Sequence, residues 1–187
     1  MLILRGAPAL SRFRKQRLVS QCQEIVAEIT DISGQYVHFA DLENELSESQ
    51  LTILKQILVY GPSREPEQDH EQIYLVLPRL GTISPWSSKA TDIAHNCGLG
   101  MIRRLERGVL YHFQTRGEKP LTEQQRQQLL PLVHDRMTEA VFEDIQAAEA
   151  LFTHQQPKKL KTVDILKGGF QALDEANQNW GLALADD

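Results

Sequence analysis

The sequence predicts an α+β fold: a mostly antiparallel sheet with helices packed on one face, internally duplicated into two pseudo-equivalent halves and followed by a helical linker. Three observations predict it. β-rich stretches at Gln35–Asp41, Ile73–Leu77 and Ile102–Phe113 are interleaved with helical periodicities that open on cap residues. A strand followed by Leu-Ser/Thr-Glu-x-Gln occurs twice, over Gln35–Gln50 and Arg104–Gln125. Finally, Gln155–Lys161, with Pro157 and three lysines, reads as a linker, dividing the chain into a domain at 1–152 and a linker segment at 153–187.

Leu2-Ile3-Leu4 reads as a short strand closed by Gly6. Pro8 then opens a helix with Leu10, Phe13, Leu18, Cys22 and Ile25 on one face. Its other face carries Arg12, Arg14, Lys15 and Arg17, a solvated face or, alternatively, a docking surface for an acidic partner domain. Gln35–Asp41 alternates as a strand, with Val26–Ile32 extending it through a bend at Gly34. Ser47 and Gln50 have capping-box spacing ahead of the stripe Leu51, Leu54, Ile57, Leu58, and Gly61-Pro62 ends that helix. Ser63–His70 is polar and reads as a surface loop. Ile73–Leu77 is apolar at both parities, which places it as a central strand covered on both faces.

Pro78, Gly81 and Pro85 break that strand. Ser84 sits where an N-cap belongs, Pro85 at the first helical position, and Gly98 at the stop. Ala90, Ile93, Ala94 and Cys97 form the predicted apolar stripe. Leu105, Val109, Tyr111 and Phe113 then alternate along a long strand. Thr122 and Gln125 repeat the capping box, and Pro131 interrupts the helix they start. Helical spacing resumes at Met137, Val141, Ile145, Ala148 and Phe152. Leu166, Phe170, Leu173 and Asn177 or Trp180 suggest one more helix, the start of an interdomain linker.

Composition narrows the function classes. Hydrophobic residues at 41% and charged residues at 24% of 187 match a soluble globular domain. A net charge of −5 argues against general nucleic-acid binding. The two cysteines imply no disulfide framework. No apolar run approaches the roughly 20 residues that span a bilayer, and Met1–Pro8 is wrongly flanked for a signal peptide. The expected location is cytoplasmic, with no membrane partner.

Few residues form a convincing catalytic pattern. Cys97 lacks the glycines of a nucleophile elbow and lies on an apolar stripe, so a buried structural thiol is expected. Ser88, Asp92 and His95 share a helical face, which fits a local hydrogen-bond network better than a triad. Gly98-Leu99-Gly100-Met101-Ile102-Arg103 has Arg in the third glycine's place of a dinucleotide fingerprint and follows a helix. The six histidines make no recognisable metal set with the cysteines. What remains is the loop at Arg79–Lys89, where hydroxyls, cations and one Trp crowd into about a dozen positions. It reads either as capping plus a Trp anchor or as a contact surface.

Gly81-Thr82-Ile83-Ser84-Pro85-Trp86-Ser87-Ser88-Lys89-Ala90-Thr91-Asp92-Ile93-Ala94-His95-Asn96-Cys97-Gly98-Leu99, preceded by Arg79 and followed by Arg104-Leu105-Glu106-Arg107-Gly108, resembles the N-terminal region of the large, single-chain phosphoribosylformylglycinamidine synthase, also called formylglycinamide ribonucleotide amidotransferase. Tyr36–Asp41, Tyr60-Gly61-Pro62, His134–Met137 and Gly181–Leu184 extend the resemblance over essentially the whole chain, with Leu80 standing where the family usually has Pro. Members of that family are several times longer, so the resemblance implies an N-terminal portion. It also implies that the domain is two fused copies of a small α+β subunit. The parent enzyme would use ATP, Mg²⁺ and glutamine to make formylglycinamidine ribonucleotide in purine synthesis. This portion would be inactive alone, with the synthetase and glutaminase domains as its partners. It would keep their sites in register and help enclose the ammonia path. Arg79, Ser84, Trp86, Ser87, Ser88 and Lys89 are the expected interdomain contact or path residues. No catalytic, cofactor-binding or metal residue is expected in the chain itself. The alternatives are a free-standing nucleotide-binding or small-molecule module built on the same loop, and a hydrolase using Cys97 or Ser88 with His95.

Overall fold

The computed structural model describes residues 1–61, 73–117, 119–153 and 159–185. Ser63–His70, expected as a surface loop, lies outside them. The chain forms two compact units, Met1–His154 and Gln155–Asp187. In the first unit β1 (Leu2–Pro8), α1 (Arg12–Ile25), β2 (Ile29–Leu42) and α2 (Glu48–Ile57) are followed by β3 (Tyr74–Pro78), α3 (Pro85–Asn96), β4 (Ile102–Thr115) and α4 (Glu123–Leu129). After α4 come a 3-10 turn at Leu130–Leu132, β5 (Glu139–Phe142) and a 3-10 helix at Ile145–Phe152.

The strands form one sheet in the order β1-β2-β4-β3-β5, and every ladder is antiparallel. The α+β class is therefore the one predicted. Its spine is the β2–β4 ladder, which runs from Ile29 opposite Thr115 to Leu42 opposite Ile102. β2 is one continuous strand through Gly34, which pairs with Tyr111 without a register shift. Leu10 and Tyr111 pack so closely that a Cβ on Gly34 would lie 3.0 Å from Leu10 Cγ.

Alternation divides the sheet into two faces. On one, Ile32, Tyr74 and Phe113 pack with Leu18, Cys22 and Leu129 of α1 and α4. On the same face, Ala40 and Leu105 pack with Leu54 of α2, with Leu58 at its C-cap, and with Ala90 and Ala94 of α3. On the other, Val37, Phe39, Leu75, Leu77 and Leu110 are covered by Ala148 and Leu151 of the 3-10 helix. This double cover explains why Tyr74–Leu77 is apolar at both parities.

Local end signals behave as read. Ser47 and Thr122 each close a complete capping box with Gln50 and Gln125, and Ser84 caps α3 with Pro85 in its first turn. Four expectations need correction. Pro8 does not start α1, because it still faces Gln35 in the β1 ladder; Ser11 caps the helix instead. Phe13 and Ile25 do not join the buried face, which is Leu18 and Cys22. Cys97 is exposed at the C-cap of α3, whose buried stripe is Ser87, Ala90 and Ala94. Met137–Phe152 is not an α-helix: Ala140–Phe142 pair with the open edge of β3, opposite Leu77–Leu75, and only Ile145–Phe152 turns, as 3-10.

Gly108 is required by close packing. A Cβ there would lie 2.8 Å from the Val76 carbonyl oxygen and 2.6 Å from Leu77 Cδ2. Gly108→Ala is expected to push β3 off β4 and cost about 1–3 kcal/mol, read as a lower urea midpoint. A variant as stable as the parent would show that β3 yields freely.

The second unit contains α5 (Ile165–Trp180), capped by Asp164 and stopped by Gly181 in the left-handed region. Gly169 interrupts it with φ 56° and ψ −152°, a conformation open essentially to glycine alone. Lys161 sits 5.0 Å over the Trp180 ring, while Leu166 and Phe170 are exposed. No helix among the described residues is long and apolar enough to cross a membrane.

Candidate functional site

β3 pairs with β4 only at Val109–Tyr111, which leaves the Ile102–Glu106 stretch of β4 with no strand on that side. α3 lies there instead. Ser87 Oγ donates to the Leu105 carbonyl, Thr91 Oγ1 accepts from the Leu105 N–H at 2.9 Å, and His95 Nε2 donates to the Ile102 carbonyl at 2.6 Å. Residues 87, 91 and 95 are successive i, i+4 positions on one helical face. The hydroxyl-rich motif therefore does the work of an absent strand, satisfying backbone groups that would be costly to leave unpaired.

The loop before α3 is tied down by a buried ion pair. Glu106 is 0% exposed, and its carboxylate accepts from Arg104 at 2.7 Å, from Ser84 Oγ at 2.6 Å and from the Arg107 N–H at 3.1 Å. Arg104 also donates to Thr82 O at 2.9 Å, Leu151 O at 3.0 Å and Ser87 Oγ at 3.2 Å, and lies over the Phe152 ring. One guanidinium thus joins the loop, α3 and the 3-10 helix.

On the helix face, Arg107 stands among aromatic rings: 4.4 Å from the Tyr36 centroid, 5.0 Å from Trp86 and 5.7 Å from Tyr60. It donates to Tyr60 Oη at 3.3 Å. His38, 1% exposed, bonds Tyr60 Oη through Nε2 and packs against Trp86. Burial pushes the His38 pKa down to about 4, with the Arg107 charge adding to it. The ring is therefore neutral near pH 7, and burial raises the Tyr60 hydroxyl above its usual range.

The six residues singled out in the loop divide accordingly. Ser84 and Ser87 turn inward to Glu106 and Leu105, and Trp86 is half-buried in its own domain. Arg79, Ser88 and Lys89 are exposed, with Arg79 reaching Met137 O at 3.4 Å. Beside them a cavity of about 470 Å³ opens between Ile83, Ser88, Thr91, Asp92, Arg103 and Phe152. Its cations already have acidic partners, Asp41 for Arg103 and Glu106 for Arg104. Arg104, Glu106 and Phe152 were missed as members of this region. The only sequence signal was an Arg and a Glu two apart on a strand, hence on one face.

The two cysteines differ in setting: Cys97 is exposed at the C-cap of α3, and Cys22 is buried. His95 bonds Ile102 O, so Ser88, Asp92 and His95 form no relay. Burial raises the Cys22 thiol to about 11, which leaves it protonated and inert near neutral pH. No group of three His, Cys, Asp or Glu among the described residues could hold a metal ion. Comparison with protein families matches residues 35–152 to the model described as formylglycinamide ribonucleotide amidotransferase N-terminal.

Proposed function

Because this chain belongs to the formylglycinamide ribonucleotide amidotransferase N-terminal family, matched over more than half its length, we propose that it is the non-catalytic domain that holds the synthetase and glutaminase domains of that purine-biosynthesis enzyme in register. In this reading it helps enclose the path of ammonia between them. Ammonia is a nucleophile only as neutral NH₃, so a wall that excludes bulk water is functional without a catalytic group. One observation carries the proposal. Ser84, Ser87, Arg104 and Glu106 anchor the β3–α3 loop inward, and that rigid base presents Arg79, Ser88 and Lys89 outward. By the family resemblance, ATP and Mg²⁺ would serve the synthetase chemistry in other parts of the parent enzyme. The setting would be cytoplasmic, with 1–152 as the domain and 153–187 as the start of the linker.

The two halves of the domain, in the same proposal, descend from one duplicated unit. The order β-α-β-α occurs twice, and the sheet order places β2 and β4 at the centre with β1 and β3 outside them. The late α1 residue Gln23 donates to Ile29 O at 2.8 Å, much as His95 donates to Ile102 O.

The test uses the complete enzyme. Lys89→Glu with Arg79→Glu is expected to lower glutamine-driven turnover about fivefold or more, while ammonia-driven turnover changes little. Both side chains are exposed, so folding should be unaffected. Equal loss with both nitrogen sources would place the loop at the synthetase chemistry. The second reading, a nucleotide-binding module, is favoured by the cavity beside Ile83 and Phe152; calorimetric titration with purine nucleotides would give heat only in that case.

A further inference from the structure

Among the described residues Arg104, Arg107 and Arg126 are the half-buried arginines. Arg104 pairs with Glu106, and Arg126 with Glu123 and Glu143. The Arg107 guanidinium has no carboxylate partner among the described residues; Glu106 beside it points to the opposite face of β4 and accepts only the Arg107 backbone N–H. Arg107 lies directly across from His38 in the β2–β4 ladder, so the two share the helix-covered face.

The rings of Tyr36, Trp86 and Tyr60, each half-buried, surround that guanidinium. Rings answer its charge, but its five N–H donors need lone-pair acceptors. Its one side-chain hydrogen bond among the described residues goes to Tyr60 Oη, at 3.3 Å. Because Tyr60 accepts there, its own proton is directed to His38 Nε2, which the neutral ring can receive. His38 thereby fixes the phenol, and the phenol fixes the guanidinium with most of its donors to spare.

Charge selects what would suit those donors. With His38 neutral, Arg107 is the one cation over these three rings among the described residues. Phosphate sites add a helix N-terminus or a nest of backbone N–H groups to such a cation. Here the N-terminus of α3, where Trp86 sits, is already taken by Ser84 Oγ and the Glu106 carboxylate. A single negative charge matches a single fork, and a planar carboxylate meets it in two parallel bonds.

We propose that Arg107, with Tyr36, Tyr60 and Trp86 around it, is a binding site for one carboxylate on a short apolar stem. The carboxylate belongs either to a small free ligand or to an Asp or Glu side chain of the remaining polypeptide, and the experiment separates the two. The site shares Trp86 with the Arg79–Lys89 loop but uses none of its exposed residues. It holds whether or not that loop is an interdomain contact.

Acetate, N-acetylglutamate N-methylamide and phosphate would each be titrated into the full chain against sodium chloride at equal ionic strength. The ¹H–¹⁵N resonances of the Arg107 side chain and the Trp86 indole report binding. Acetate should give saturable shifts with a Kd of about 1–10 mM, and phosphate should bind about tenfold more weakly. Saturation by the blocked glutamate as well assigns the carboxylate to an acidic side chain; saturation by acetate alone assigns it to a free ligand. Arg107→Lys keeps the charge but loses the fork, and should weaken acetate about fivefold or more. Tyr36→Leu leaves Arg107 in place and should weaken it about threefold. Shifts that do not saturate, equal shifts with chloride, tighter binding of phosphate, or unchanged binding by Arg107→Lys would each overturn the proposal.

Discussion

Glu106→Ala is expected to destabilise the Met1–His154 unit by about 3–5 kcal/mol, a large part of a typical domain's stability. The carboxylate is fully buried and satisfies the Arg104 guanidinium, the Ser84 hydroxyl and the Arg107 N–H. Removing it leaves a guanidinium with only 16% of its side chain exposed without its counter-charge. It also releases the Ser84 cap at the start of α3. Urea unfolding at fixed pH would measure the loss. Glu106→Met combined with Arg104→Met should recover much of it, because the cost lies mainly in the stranded partner rather than in the pair itself. A loss below about 1 kcal/mol for Glu106→Ala would show that water reaches the pair, as it does at surface ion pairs.

Acid is expected to weaken the domain through His38. Its pKa is about 4 in the fold against an ordinary 6.5, because the buried ring disfavours the imidazolium. Arg107 on the adjoining strand adds repulsion, and Tyr60 already occupies Nε2. Between pH 6.5 and about 4 the unfolded chain binds a proton that the folded chain excludes. The His38 contribution is therefore whole above 6.5 and is lost as pH falls toward about 4, a total on the order of 3 kcal/mol. Urea midpoints near neutral pH and near the lower limit would be compared for the wild type and His38→Gln. The wild type should lose about 2–3 kcal/mol more than the variant. A ring resonance titrating near the ordinary His value in the folded protein would refute the expectation, whatever the variant's own stability.

The sequence by itself determined what depends on neighbours a few residues away. The capping boxes at Ser47 and Thr122 and the cap at Ser84 are bonds to the residue three positions on, so spacing alone reveals them. Tyr74–Leu77 announced cover on both faces because every residue had to be apolar. The long motif at Gly81–Leu99 was distinctive enough to indicate the family. Tertiary structure decided the rest, because the partners lie far along the chain. Glu139–Phe142 is a strand only because β3 offers an open edge there, which overrides its helical spacing. Cys97 and Phe13 look like core residues by periodicity, yet each helix chose a slightly different face once it met the sheet. Ser87 reads as a contact residue of the loop, and His95 as part of a local network with Ser88 and Asp92, until β4 supplies carbonyls with no strand beside them. A hydroxyl's role depends on the group opposite it, and here that group comes from a strand that follows the helix and folds back along it.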